Sequence, residues 1–277
     1  MVRSLKSFLE KLTILLWIGA AMLGCDTEYL NRLTPSEEKV KTNQLEADRR
    51  MYYQGSQIRQ AIFDTLIMLN PETEYYYRQK SIAHTKIGDY HIAFPLLEKS
   101  AELDPKESLY YYSWLLLYLY RDYERALERL QQYDDLTPNQ MDVAWGENVD
   151  YLKGLAHKQL GNYPEAIRAF TKAIEEEGAQ NVDLYAFVYR GIAYAQMADH
   201  REAILDFDQA IQLYQKCTMA YYYKAVSLAA LGQREKASTF FTKAEELLRQ
   251  GIKKTDPYVE VFDEVHLEMI EDQRKNL

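Results

Sequence analysis

The sequence predicts an all-α fold, an α-solenoid of about five to six helical hairpins closed by a C-terminal capping helix. Three observations carry that expectation. A small residue recurs as Ala93, Ala126, Ala166, Ala203 and Ala237, at spacings of 33, 40, 37 and 34 residues. Around each of these an apolar stripe falls at helical intervals. The 277 residues hold only 11 Gly and 7 Pro, few for a fold of many short strands, and 47% apolar content suffices for a continuous core.

The chain opens MVRSLKSFLEKLTILLWIGAAMLGC, in which Arg3, Lys6 and Lys11 precede an apolar run from Leu12 to Leu23. The run is too short to span a bilayer core of about 30 Å, which takes roughly 20 helical residues, so it reads as an export signal. Its end resembles the lipobox of bacterial lipoproteins: Gly24 and Cys25 fit, while Met22 and Leu23 stand where that family usually has Leu and a small residue. The resemblance implies that residues 1–24 are a signal peptide and that Cys25 is lipidated. The body would then lie outside the cytoplasm, anchored to the inner or the outer membrane of the cell envelope. Residues 25–39 are polar, with Asn31, Thr34, Pro35 and Ser36, and read as a tether. With Cys25 lipidated, Cys217 has no cysteine to pair with, and it reads as a packing residue at a hairpin junction.

From residue 40 to 250 other columns join the register. Four residues after each small residue stand Leu97, Leu130, Phe170, Phe207 and Phe241; seven after stand Ser100, Tyr133, Ala173, Ala210 and Ala244. Five before come Gly88, Arg121, Gly161, Ala198 and Gly232, where one helix must end in a left-handed turn. Twelve before come Ser81, Trp114, Gly154, Gly191 and Ala225, mostly small, marking the facing contact on the first helix. The segments GDYHIAFPLLEKSAELDP, RDYERALERLQQYDDLTP and GNYPEAIRAFTKAIEEEG resemble the second half of the tetratricopeptide repeat. That resemblance implies a right-handed solenoid with approximate units 40–73, 74–106, 107–139, 147–180, 184–217 and 218–250.

The first of these units is degenerate, with Ala47, Phe63, Leu66, Leu69 and Pro71 in the expected columns and Gly55 near the turn. In the third, Trp114 and Tyr133 replace small residues, so that hairpin should be repacked. An insertion around Asn139 to Gly146, which includes Trp145, should loop out on one face. Residues 251–277 should cap the stack, with a helix from Thr255 to Gln273 whose stripe is Tyr258, Val261, Phe262, Val265 and Met269.

A formal charge of −9 and a pI near 5.2 argue against a nucleic-acid partner. The sequence shows no phosphate loop, no metal-ligand spacing and no nucleophile elbow, so neither enzyme activity nor a cofactor is expected. Aromatic residues are skewed to 24 Tyr against 9 Phe and 3 Trp. The resemblance implies a concave groove lined by the first helix of each hairpin: Tyr75, Arg78 and Ile82, then Tyr111, Leu115 and Tyr118, then Tyr151 and Leu155, Tyr185 and Val188, and Met219 and Tyr222. At least one Tyr of each triplet, Tyr75-Tyr76-Tyr77, Tyr110-Tyr111-Tyr112 and Tyr221-Tyr222-Tyr223, should be exposed. The expected function is a membrane-anchored scaffold that takes an extended peptide or helix of a partner protein, the alternative being a surface binder of glycan or another nutrient.

Overall fold

The structure, a computed structural model, describes residues 29–138, 140–144 and 146–277. The export signal, Cys25 and Trp145 lie outside the described residues. The chain divides into two compact units, one up to Ser108 and one from Leu109 to Leu277.

In the first unit lie α1 (Pro35–Asp48), α2 (Gln57–Leu69), α3 (Glu74–Ile87) and α4 (Tyr90–Leu103), and α3 and α4 pack as a hairpin. The start of α1 corrects the tether expected over 25–39. The Thr34 amide donates to Glu37 Oε2 at 2.8 Å and the Glu37 amide to Thr34 Oγ1 at 3.4 Å, a reciprocal cap with Pro35 in the first helical position. The α1–α2 pair occupies the degenerate unit, with Phe63 and Leu66 fully buried, but Ala47 is exposed and Leu45 is the α1 residue that packs inward. Arg49 is buried there too, paired with Glu46 at 2.7 Å and donating to the Tyr75 hydroxyl at 3.1 Å.

The second unit holds α5 (Pro105–Leu115), whose first residues belong to the unit before, then α6 (Tyr123–Asp134), α7 (Val149–Gln159), α8 (Tyr163–Glu177), α9 (Tyr185–Gln196), α10 (His200–Leu213), α11 (Thr218–Ala230), α12 (Arg234–Arg249) and α13 (Leu267–Lys275). The pairs α7–α8, α9–α10 and α11–α12 are hairpins, and α8–α9 and α10–α11 stack one hairpin on the next. This is the α-solenoid the repeat predicts. The expected small column is where it closes most tightly. A Cβ on Gly154 would stand 2.7 Å from the Phe170 ring, and one on Gly191 2.7 Å from the Phe207 ring.

All five turn positions have left-handed backbone: Gly88 (φ 81°), Arg121 (57°), Gly161 (76°), Ala198 (62°) and Gly232 (74°). The left-handed region costs an L-residue about 1–2 kcal/mol, against a smaller entropic cost for Gly. Ala198 is exposed and loses no packing on truncation. Ala198→Gly is therefore expected to stabilise the fold by about 0.5–1 kcal/mol in urea unfolding; a loss of stability would contradict the strain reading.

The third hairpin is repacked by a device in the helix itself. After Leu115 the helix widens into a five-residue π segment, Leu116–Tyr120, before ending at Arg121. A π segment adds one residue to the helix. Ser113, fully buried, consequently takes the place the alignment gave Trp114, and Trp114 is only half-buried and donates to Glu147 Oε2 at 3.1 Å. The insertion after α6 folds as a two-residue ladder, β1 (Val143–Ala144) against β2 (Glu147–Asn148), antiparallel, with Gly146 at φ 89° in its turn.

The capping helix is shorter than expected. Only Leu267–Lys275 is helical, and it packs on α12 through buried Ile270 and the Arg274–Glu245 ion pair at 2.5 Å. Residues 252–266 are not a helix, although the Asp256 carboxylate accepts from the Tyr258 and Val259 amides at 2.8 and 3.0 Å. Their carbonyl groups find partners on the solenoid instead.

Candidate functional site

The first helices of the second unit's hairpins converge on residues 252–266. Four main-chain carbonyl groups of that segment accept hydrogen bonds from four solenoid side chains. Thr218 Oγ1 donates to the Ile252 carbonyl at 2.5 Å, Arg121 Nη2 to Glu260 at 2.7 Å, Tyr189 to Phe262 at 3.4 Å and Tyr223 to Asp263 at 3.1 Å. The Phe262 carbonyl is buried and must be satisfied, those of Ile252 and Asp263 are part-buried and that of Glu260 is exposed, and these donors do what a helix or a neighbouring strand would otherwise do. Because they bond main chain, they fix the path of this bent segment without specifying its sequence.

Two side chains add specificity. Phe262, 4% exposed, inserts between the rings of Tyr118 (centroids 5.6 Å apart) and Tyr123 (6.2 Å), with the Arg121 guanidinium 4.1 Å from its ring centre. Next to it the Asp263 carboxylate pairs with Lys158 Nζ at 2.5 Å. Lys158 is 5% exposed, and burial pushes its pKa down against the pull of Asp263. Asp263 itself stands at φ 53°, a kink that Asp tolerates better than most side chains. Nearer the start of the segment, Lys254 Nζ lies 3.8 Å from the Tyr185 ring centre, and burial lowers its pKa. Glu147 accepts from Tyr118 at 2.9 Å as well as from Trp114, and burial raises its pKa despite those bonds.

The first helices on which the groove was expected are the ones that hold residues 252–266, and the residues named for that groove form no open ladder. In the second unit Tyr111, Leu115, Tyr151, Leu155, Val188, Met219 and Tyr222 are buried, and Tyr118 and Tyr185 are half-buried. In the first unit Tyr75, Arg78 and Ile82 are half-buried, and Arg78 pairs with Glu74 at 3.0 Å. No member of the three Tyr triplets is exposed; Tyr76 packs on Tyr75, Tyr110 on Tyr133 and Tyr222 on Phe241. The residues that grip the segment are Arg121, Lys158, Thr218, Tyr189 and Tyr223. Their signal was present in the spacing. Lys158 continues the face of Tyr151 and Leu155, Tyr189 follows Tyr185 by four, and Tyr223 follows Met219 by four.

Two buried groups give further expected outcomes. Among the described residues the Tyr151 hydroxyl is buried without a hydrogen-bond partner. An orphaned buried hydroxyl costs about 1–3 kcal/mol, so Tyr151→Phe is expected to leave stability unchanged or raise it by about 1 kcal/mol, whereas a loss would show that the hydroxyl is bonded. Cys217 is 1% exposed, and burial pushes its thiol up to about 11. The thiol is raised above its unfolded value, so the stability this gives is present at neutral pH and lost as pH climbs toward 11. In the native protein Cys217 is expected to resist thiol reagents at about pH 8 and to react on unfolding.

Comparison with known proteins agrees with this architecture. Tetratricopeptide repeat models match residues 151–179 and 188–252. No curated protein matches the chain. Among solved structures, "MamA 41-end" from Desulfovibrio magneticus RS-1 is similar at 22% identity and a TM-score of 0.56, covering 64% of this chain and 96% of that one. A crystal structure of MamA protein is similar at 22% identity and 0.54, covering 65% and 94%. The crystal structure of YrrB, a TPR protein with an unusual peptide-binding site, is similar at 18% identity and 0.56, covering 78% and 98%. At these identities the likeness is one of fold.

Proposed function

Because this chain is a tetratricopeptide-repeat protein, we propose that it is a protein-interaction scaffold whose second unit binds an extended segment of a partner. One observation supports this above the others. The inner helices already hold fifteen residues, 252–266, by their main chain and by two side-chain seats. A surface with donors aimed at main-chain carbonyl groups fits a peptide, and the peptide-binding site of YrrB gives the fold a precedent for that use. The glycan alternative is less well supported on these inner helices, where Tyr151, Tyr185 and Tyr189 lie ring against ring, as do Tyr222 and Tyr223.

We also propose that lipid on Cys25 holds this scaffold at an envelope membrane. The support is the sequence of residues 1–25. Cys25→Ala is expected to move the protein from the membrane pellet to the soluble fraction; an unchanged distribution would overturn the anchor.

The binding site is tested by a photoreactive residue placed at Tyr123, beside the Phe262 seat, and in parallel at Leu205, which is 61% exposed. The scaffold reading predicts a defined protein cross-linked in cells from position 123, absent from 205, and lost when Lys158 is replaced by Glu. The same products from both positions, or none from 123, would overturn it.

A further inference from the structure

We infer that residues 252–266 are a built-in competitor for the groove, and that the partner it selects is a non-helical peptide that turns at an aromatic residue followed directly by a carboxylate. This rests on the scaffold reading and specifies the partner.

The two seats define that pattern. The Phe262 side chain fills a site walled by Tyr118, Tyr123 and the Arg121 guanidinium, where an aliphatic side chain would forgo the cation–π contact at 4.1 Å. Lys158 fixes what must follow. A lysine buried to 5% exposure and paired at 2.5 Å cannot lose its carboxylate without a large desolvation penalty. Any peptide that displaces Asp263 must therefore bring its own acid to the same place. The main-chain donors Tyr189 and Tyr223 set the register between the two seats, since they take the carbonyl groups of Phe262 and Asp263 in succession.

The segment is also built to leave. It is a strap fixed at both ends. Helix α12 precedes it, with Gly251 at φ 74° as the pivot, and α13 follows, held to α12 by Arg274. Between those ends residues 255–258 are exposed, with Tyr258 at 80%. The strap can loop outward without unfolding either helix. A competitor tethered in this way lowers the apparent affinity for a second ligand by the fraction of time it occupies the site.

The test is a fluorescence-anisotropy titration with a labelled peptide of residues 256–266, DPYVEVFDEVH. It is added to the full chain and to the full chain carrying Phe262→Ala and Asp263→Asn. The weakened strap is expected to let the substituted chain bind at least tenfold tighter than the native one. A peptide with the same two substitutions is expected to bind at least tenfold weaker. Equal affinity of the two chains, or of the two peptides, would overturn the inference. If the substituted chain loses its helical circular dichroism, the native chain alone decides, because it must prefer the unsubstituted peptide by the same factor. A protein cross-linked from position 123 while the peptide fails to bind would overturn this inference and leave the scaffold reading standing. The peptide binding with nothing cross-linked would do the reverse.

Discussion

Valine at Gly191 is expected to lower the melting temperature by about 2–12 °C. The position lies on α9 where the chain has no side chain at all, because the Phe207 ring of α10 occupies the space. An added Cβ would meet that ring at 2.7 Å, and Phe207 is fully buried, with its ring stacked on Tyr223 at 6.3 Å. Overpacking of a closed core costs typically about 1–3 kcal/mol, and in a unit of this size each kcal/mol shifts the melting point by about 2–4 °C. Gly154 against Phe170 is the same contact one hairpin earlier and should respond alike. The mechanism has its own check. Combining Gly191→Val with Phe207→Ala should cost less than the two changes summed, since the ring that clashes is gone. Additive losses would mean that the hairpin does not close through this contact.

The second large effect belongs to Lys158. Replacing it by Glu puts a carboxylate where the Asp263 carboxylate now finds an ammonium group at 2.5 Å. Breaking a buried ion pair by removing one partner costs about 3–5 kcal/mol. Here the strap can avoid that cost by leaving, so the helices should keep their stability and residues 252–266 should be released. Lys253 and Lys254 lie in that segment, and trypsin is expected to cut there at least tenfold faster in the variant. Adding Asp263→Lys should restore protection by re-forming the pair with its charges exchanged. Unchanged cleavage in Lys158→Glu would mean that Asp263 does not hold the strap.

Much of this fold could be read from residue spacing alone. The column five before each small residue is left-handed in all five cases, even at Arg121 and Ala198, because a hairpin of this length needs the turn whatever side chain is present. The column of Gly154 and Gly191 marked where the Phe rings of the next helix enter. The start of α1 was also written in the sequence, as Thr34-Pro35-Ser36-Glu37, but the polar composition around it concealed the cap. By contrast, the π segment at Leu116–Tyr120 has no local signal, and it turned Trp114 from a core clash into a donor for Glu147. The strap was hidden for a different reason. Tyr258, Val261, Phe262 and Val265 have helical spacing, yet that spacing says nothing of whether donors elsewhere will take the carbonyl groups. Tyr189, Tyr223 and Arg121 take them, and the intrinsic preference of the segment is overridden. Spacing alone also gave no sign that residues 252–266 would lie against the first helices of the second unit.

On the proposed binding mode, the inner face of the second unit grips a non-helical peptide, and residues 252–266 occupy that face in the resting protein. Backbone hydrogen exchange of the native full chain, measured with and without an excess of the 256–266 peptide, tests this most directly. The added peptide is expected to speed exchange in the chain's own residues 252–266 while α7, α9 and α11 stay protected. Bound peptide with unchanged exchange across 252–266 would place the binding surface elsewhere and contradict that binding mode.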